Sequence, residues 1–269
     1  MNTKIFVRNV SKDFYDEKRR TSFRAVDNVN LEIGEEEFIC LLGPSGCGKS
    51  TLLFMIAGLV KLSSGEILID GKIVNGPGPD RGVLFQQLGL FPWRTAAGNI
   101  KFGLEVMKLD KREMEERVLK YLRMVGLTKF GNSYPHELSG GMQQRVAIAR
   151  LLAHEPEVLL MDEPFGALDA QTRIVMGGEL VKIWQETKKT IVFVTHSVEE
   201  AIYLGSKVVV MTSSPGRIKS IIKIDLKRPR DYVDGEFNTI RGKMLAMVEE
   251  EVSKAYLKDI GEESEISEK

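Results

Sequence analysis

Nine residues, Gly43-Pro44-Ser45-Gly46-Cys47-Gly48-Lys49-Ser50-Thr51, lie between the apolar run Phe38–Leu42 and the apolar helical pattern Leu52 to Ala57. The string satisfies GxxxxGK[ST], and a strand before it with a helix after it is the context that motif requires. Its glycines let the backbone wrap around phosphates with N–H groups turned inward, and the helix N-terminus adds a favourable dipole. A chance glycine-rich turn does not bring strand, loop and helix together. Lys49 is expected to reach the β- and γ-phosphates of a nucleotide, and the Ser50 hydroxyl to ligate Mg2+. Cys47 has only to turn its backbone N–H to phosphate, so it needs no redox role.

Such a loop belongs in an α/β setting, and the rest of the chain has that rhythm. Short apolar runs recur at Phe38–Leu42, Val83–Phe85, Val158–Met161, Ile191–Val194 and Val208–Met211. Continuous apolarity over a few residues marks a strand buried on both faces. Helical patterns between several of them predict a mostly parallel sheet. No internal repeat of useful length is present, so one nucleotide-binding unit is expected. Residues 94–137 break the rhythm. Asp110 with Glu113 forms a capping-box pattern, Met114, Val118, Leu122 and Val125 mark one helix face, and Gly126 can end the helix. This segment reads as a helical insert between two halves of the sheet. After Pro215-Gly216 come a strand pattern at Ile221–Leu226, a break at Lys227-Arg228-Pro229-Arg230, and a helix from about Glu236 to Lys258 packed on the core as an appendage.

Composition narrows the partners. The 269 residues, 43% of them hydrophobic, suffice for one large core or two modest ones. Lysine plus arginine number 38 and aspartate plus glutamate 38, so zero net charge gives no electrostatic reason to expect nucleic acid or anionic lipid. Residues 249–269 hold eight carboxylates against three lysines, the pattern of a solvated, fraying tail. Cys40 and Cys47 match no disulfide framework or zinc site, which favours a reduced cytoplasmic protein. No signal peptide is read at the N-terminus. The longest apolar run, Leu52 to Val60, is nine residues, about half of what a membrane span needs. Any link to a membrane is therefore expected to go through a partner.

Two further patterns bear on chemistry. Val158-Leu159-Leu160-Met161-Asp162-Glu163 is a buried strand ending in two carboxylates. Asp162 suits holding Mg2+ through water or the Ser50 hydroxyl, and Glu163 suits orienting the attacking water and accepting its proton. His196 ends the strand Ile191–Thr195, where ligands bind in α/β sheets, and is a candidate sensor of the γ-phosphate. Ser197 with Glu200 reads as a capping box for the next helix. His136 and His154 have no such setting and read as structural or surface residues. Residues 138–145, Leu-Ser-Gly-Gly-Met-Gln-Gln-Arg, open a further helix, continued by Val146, Ala149 and Ala153. Ser139 with the Gly140 and Gly141 N–H groups forms a second anion site. It is not expected to fold back onto its own chain's phosphate loop, so it implies a partner chain.

With these residues in place the chain resembles the ATP-binding subunit of an ABC transporter, over roughly residues 4–230 and with motifs in the family's order. The resemblance implies a P-loop NTPase (RecA-like) core with an antiparallel β part and a helical subdomain inserted at approximately 94–150, followed by a C-terminal helical extension with an acidic tail at 231–269. It implies that Gln86 touches Mg2+ and water, that Leu138 to Arg145, including Gln143, is the signature motif, and that Ala167-Leu168-Asp169 faces across a dimer. It also implies that His196 is the switch histidine and that Phe14, with Tyr15 as the alternative, stacks on adenine. Gln87 departs from the acidic residue many relatives carry after the glutamine. Three stretches resemble the nitrate/sulfonate/taurine importer group: Met161 to Asp169, Met211 to Ile218, and Asp225 to Arg230. The Phe91-Pro92-Trp93-Arg94 turn and the short C-terminal extension fit that group too.

Two head-to-tail copies would then enclose two ATP molecules, and closure undone by hydrolysis would make a two-state switch. The expected partners are a second copy, a membrane permease docked on the apolar stretch Leu88 to Trp93, and, indirectly, an external solute-binding protein. The expected place is the cytoplasmic face of a prokaryotic membrane. A soluble relative acting on DNA or ribosomes is disfavoured by the single unit, the lack of sustained heptads and the zero net charge. A small-molecule kinase leaves residues 138–145 unexplained. The transported solute is not encoded in this chain, and import is preferred over export only by resemblance.

Overall fold

The computed structural model describes residues 2–17 and 20–267, with side chains as far as residue 257. The chain divides into two compact units, one made of residues up to Pro77 together with those from Val192 onward, the other of Gly78–Ile191.

The first unit opens with two long antiparallel strands, β1 (Thr3–Asp16) and β2 (Thr21–Gly34). They pair in a four-stranded sheet, ordered β2-β1-β4-β5, with β4 (Ser64–Ile69) and β5 (Lys72–Ile73). Val29, Leu31 and Ile33 are buried while Asn30 and Glu32 between them are exposed, the period-two pattern of a sheet covered on one face. Asn9 and Asn28 take positive φ, 49° and 47°, where the β1–β2 register shifts. A second set of strands runs in the order β10-β9-β3-β8. Here β3 (Phe38–Leu42) pairs parallel with β9 (Lys207–Met211), and β10 (Ile218–Lys223) antiparallel with β9. Strands β3 and β8 (Thr190–Thr195) are buried at every residue, as their unbroken apolarity predicts. The last strand differs from the expected Ile221–Leu226, because its partner β9 ends at the turn before Ile218.

Three helices accompany these strands: α1 (Lys49–Ala57), α6 (Val198–Leu204) and α7 (Gly235–Ser267). The expected break at Arg228-Pro229-Arg230 is a clasp. Arg228 donates to the carbonyls of Tyr203 and Leu204, and Arg230 to those of Ile202, Tyr203, Gly205, Ile224 and Leu226. The last carbonyls of α6 thereby gain the partners a helix end otherwise lacks. Tyr203 stacks on Tyr232, ring centroids 4.9 Å apart and 6° from parallel. Helix α7 runs well past the expected Lys258, and the reading of residues 249–269 as a solvated tail is corrected at Glu251, which is buried.

The second unit holds two parallel strands, β6 (Arg81–Leu84) and β7 (Val158–Asp162). Its helices are α2 (Ala96–Val106), α3 (Lys111–Met124), α4 (Gly140–Ala153) and α5 (Ala170–Thr187). Asp110 caps α3 by accepting from the N–H groups of Arg112 and Glu113 at 2.9 and 3.0 Å. Glu113 does not close the expected capping box; its carboxylate takes Arg117 one turn on, at 2.8 Å. Gly126, at φ 68°, follows the helix end as expected. Among the described residues no helix is long and apolar enough to cross a membrane.

Candidate functional site

The expected site residues fall in both units. Phe14, Gly43 to Thr51 and His196 belong to the first; Gln86, Leu138 to Arg145, Asp162, Glu163 and Asp169 belong to the second.

In the first unit β3 delivers the chain into Gly43, and α1 starts at Lys49 with Gly48 at its N-cap, φ 88°. No side chain caps α1, and a helix N-terminus of this kind suits an anion. The loop leaves no room for side chains at Gly43 and Gly48. A Cβ on Gly43 would stand 2.8 Å from Cys47 Sγ, and one on Gly48 2.7 Å from Ala25 O. Lys49 is only 4% exposed, and its Nζ donates to the carbonyls of Gly43 and Pro44, each at 2.8 Å. Burial raises the Cys47 thiol above its ordinary range, which keeps it protonated and suits the absence of a redox role. Ser45 and Gly46 form the exposed crown, and the Ser50 and Thr51 hydroxyls follow Lys49 in the first turn of α1.

His196 is exposed just past β8. Ser197 caps α6, accepting from the Glu200 N–H at 3.2 Å. The reciprocal half of that capping box is absent, because the Glu200 carboxylate accepts from the Thr195 hydroxyl at 2.5 Å. Phe14 is the cross-strand partner of Phe23, with ring centroids 5.6 Å apart and planes 24° from parallel. Lys12 Nζ stands 4.7 Å from the Phe14 centroid, and Tyr15 is exposed.

In the second unit β7 ends at Asp162, which is 7% exposed. Glu163 follows at φ 42°, a left-handed conformation rare for residues other than glycine and frequent at functional sites. Its carbonyl accepts from the Gly166 N–H at 3.1 Å, and Gln86 Nε2 lies 4.0 Å from the Cβ position of Gly166. The turn continues to Asp169, which caps α5. Asp169 accepts from the Thr172 N–H at 3.0 Å, its hydroxyl at 2.7 Å and the Gln171 N–H at 3.1 Å. These bonds, those of Thr172 foremost, hold its carboxyl below the usual range.

Ser139 caps α4 by accepting from the Met142 N–H at 3.3 Å, so Gly140 and Gly141 present the first N–H groups of that helix. A Cβ on Gly141 would stand 3.0 Å from Thr172 Cγ2, so the first turns of α4 and α5 abut. Gln143 turns its amide nitrogen to the carbonyls of Pro135 and Leu138, at 2.9 and 3.1 Å, and so braces the turn ahead of Ser139.

Two residues that no motif pointed to shape the segment after Gln86. Arg150, near the far end of α4, donates to the carbonyls of Gly89 at 2.6 Å and Leu88 at 2.5 Å. Asn99, fully buried in α2, accepts from the Phe91 N–H at 2.8 Å and donates to the carbonyls of Phe91, Arg94 and Thr95. Between them they fix residues 88–95. The rings of Phe91 and Phe102 meet at 4.6 Å, and Trp93 is 72% exposed. A cavity of about 490 Å3 opens here, lined by Phe85, Leu88, Phe91, Phe102, Arg150 and His154 among others. His154 sits against Gly103, where a Cβ would run into its ring, and burial and then Arg150 lower its pKa. His136 stacks on Tyr134 at 5.9 Å.

Among the described residues no cluster of three or more histidine, cysteine or acidic side chains could cage a metal. Taken unit by unit, the Ser50 hydroxyl of the first and the Asp162 carboxylate and Gln86 amide of the second are hard oxygen groups of the kind that suit Mg2+.

A family model described as "ABC transporter" matches residues 26–166. An uncharacterized ABC transporter ATP-binding protein of Methanocaldococcus jannaschii is 56% identical over 95% of each chain. A taurine import ATP-binding protein of Rhizobium johnstonii is 49% identical over 80% of this chain and 82% of its own. Among solved structures, a dimeric ATP-binding cassette in a post-hydrolysis state with ADP and Pi is similar at TM-score 0.71. It is 36% identical and covers 83% of this chain and 100% of its own.

Proposed function

The chain belongs to the ABC transporter family, and on that footing we propose that this ATPase energises an importer. One observation carries the reading. The chain has two separate glycine-rich helix N-termini, with Gly48 as the N-cap of α1 and Ser139 as the N-cap of α4, which opens with Gly140 and Gly141. In a head-to-tail homodimer each ATP is held between the Gly43–Thr51 loop of one copy and Ser139-Gly140-Gly141 of the other. The likeness to a dimeric cassette supports this arrangement.

Each residue then has a task. Lys49 and the loop N–H groups hold the β- and γ-phosphates, and Phe14, already stacked on Phe23, offers its ring to adenine. Mg2+ would be held by Ser50, Gln86 and Asp162, and when bound it neutralises charge on the phosphate oxygens. Glu163 orients the attacking water and takes up its proton, and His196 reads the γ-phosphate. Asp169 stands at the edge facing the second copy, and Gln143 supports Ser139 from behind.

The apolar cavity beside residues 85–91 is the dock for a permease helix, since Arg150 and Asn99 hold its rim rigid and Phe91 and Trp93 present aromatic surface. The chain works at the cytoplasmic face of the membrane without crossing it. The solute is a small nitrate-, sulfonate- or taurine-like anion delivered by an external binding protein, a reading supported by the taurine importer relative. Affinity isolation from detergent-solubilised membranes tests the proposal. It should recover an integral-membrane permease with the wild-type chain, and Phe91→Glu should lose it while keeping basal ATPase. Recovery of nucleic acid or ribosomes instead would overturn the reading.

A further inference from the structure

Helix α7 lies outside every nucleotide motif, yet one of its acidic groups, buried Glu251, is tied to the support of the phosphate loop. Glu251 is 2% exposed and receives four donors. One carboxylate oxygen accepts from the Ser213 N–H at 3.0 Å and the Ser213 hydroxyl at 3.3 Å. The other accepts from Lys219 Nζ at 2.7 Å and Lys254 Nζ at 3.1 Å. Burial alone would raise its pKa, but the bonds from Lys219, the Ser213 N–H and Lys254 outweigh that and bring it down to about 2. The group is a carboxylate at neutral pH, and removing it takes the acceptor from the Ser213 N–H and hydroxyl and leaves Lys219 and Lys254 with Glu250.

Ser213 belongs to the turn between β9 and β10, which is closed on itself. The Thr212 N–H donates to Arg217 O, the Arg217 N–H to Thr212 Oγ1, and the Thr212 hydroxyl to Pro215 O, each at 2.9 Å. A pull on Ser213 is therefore passed to Gly216. Gly216 is wedged between β2 and the phosphate loop: its N–H donates to Ala25 O and its carbonyl accepts from the Asp27 N–H, both at 2.9 Å. A Cβ there would stand 2.1 Å from the Cys47 carbonyl oxygen. Ala25 also backs the next loop residue, since its carbonyl lies 2.7 Å from a Cβ placed on Gly48. Arg217 Nε completes the brace with Asp27 at 2.7 Å.

We propose that Glu251 is a positioning residue for nucleotide, setting the Cys47-Gly48 part of the phosphate loop through the 212–217 turn. The assignment rests on the reading of Gly43–Thr51 as the phosphate site. Loop N–H groups bind phosphate well only when held close to their working geometry, and rigid supports behind them provide that. Helix α7 is in this view a brace for the site.

The test is titration of the full chain with a fluorescent ATP analogue, together with KM and kcat for ATP. Glu251→Ala and Gly216→Ala should each weaken binding about tenfold, and Glu251→Gln, which keeps one acceptor but no charge, about threefold. The loss should fall on KM, with kcat at saturating ATP changed less than about twofold. A purely structural role would lower the melting temperature and leave affinity and KM untouched. Wild-type affinity in folded Glu251→Ala overturns the proposal, and should that variant not fold, wild-type affinity in Glu251→Gln does so. Wild-type affinity in Gly216→Ala overturns the route through the turn. Lys49→Ala separates the two readings: it should abolish binding, and if it does not, the phosphate-site reading itself fails.

Discussion

Glu163 shows how much a single backbone angle can say about chemistry. A glutamate at φ 42°, just where β7 ends and beside the buried Asp162, is held against its own preference. A residue placed to orient water and accept its proton can give about 100- to 10,000-fold in rate. Glu163→Gln should therefore cut phosphate release at saturating ATP by that order while ATP binding and dimerisation persist, which gel filtration with nucleotide checks. Lys49, Ser50, Ser139, Asp162 and Glu163 were legible in the sequence because each sits in a contiguous motif whose spacing reflects one local geometry. Arg150, Asn99 and Glu251 were not. Arg150 and Asn99 bind backbone carbonyls, and a carbonyl carries no residue identity to read. Lys219 and Ser213 lie 32 and 38 residues from Glu251, so no window of helical or strand period connects them.

At the scale of elements, strands buried on both faces were legible and surface pairings were not. The bounds Phe38–Leu42 are those of β3 to the residue, because unbroken apolarity has no other use there. The paired β1 and β2 mix exposed polar with buried apolar positions and shift register, which hides their period. Helix starts were visible through Asp110, Ser139 and Ser197, yet two expected capping boxes lack their second half because Glu113 and Glu200 have nearer partners. The clasp on α6 could not be anticipated from the charged run 227–230. Burial and then Arg228 push the Arg230 guanidinium down to about 10, so it stays charged at neutral pH. Arg230→Ala should leave several buried carbonyls without a donor and cost about 2–4 kcal/mol. A lower urea midpoint at unchanged slope would show it.

For the whole molecule the proposed function has one chain carry two halves of different sites. Ser139→Arg places a bulky cation where the second copy's phosphate would sit. The variant should bind ATP as a monomer, fail to dimerise when combined with Glu163→Gln, and turn over at least about tenfold more slowly. Light scattering in ATP and a phosphate-release assay check both halves of that expectation. Zero net charge sits well with a partner recognised by shape and apolar contact at residues 85–91. The division of the chain bears on its synthesis as well. Residues 78–191 are contiguous and can close as soon as they leave the ribosome, whereas the other unit is split between the first and last thirds of the chain. The turn that backs Cys47 and the helix that secures it emerge last. The phosphate loop, though made early, therefore gains its full support only as translation finishes, and a nascent chain halted before residue 212 has the loop without its brace.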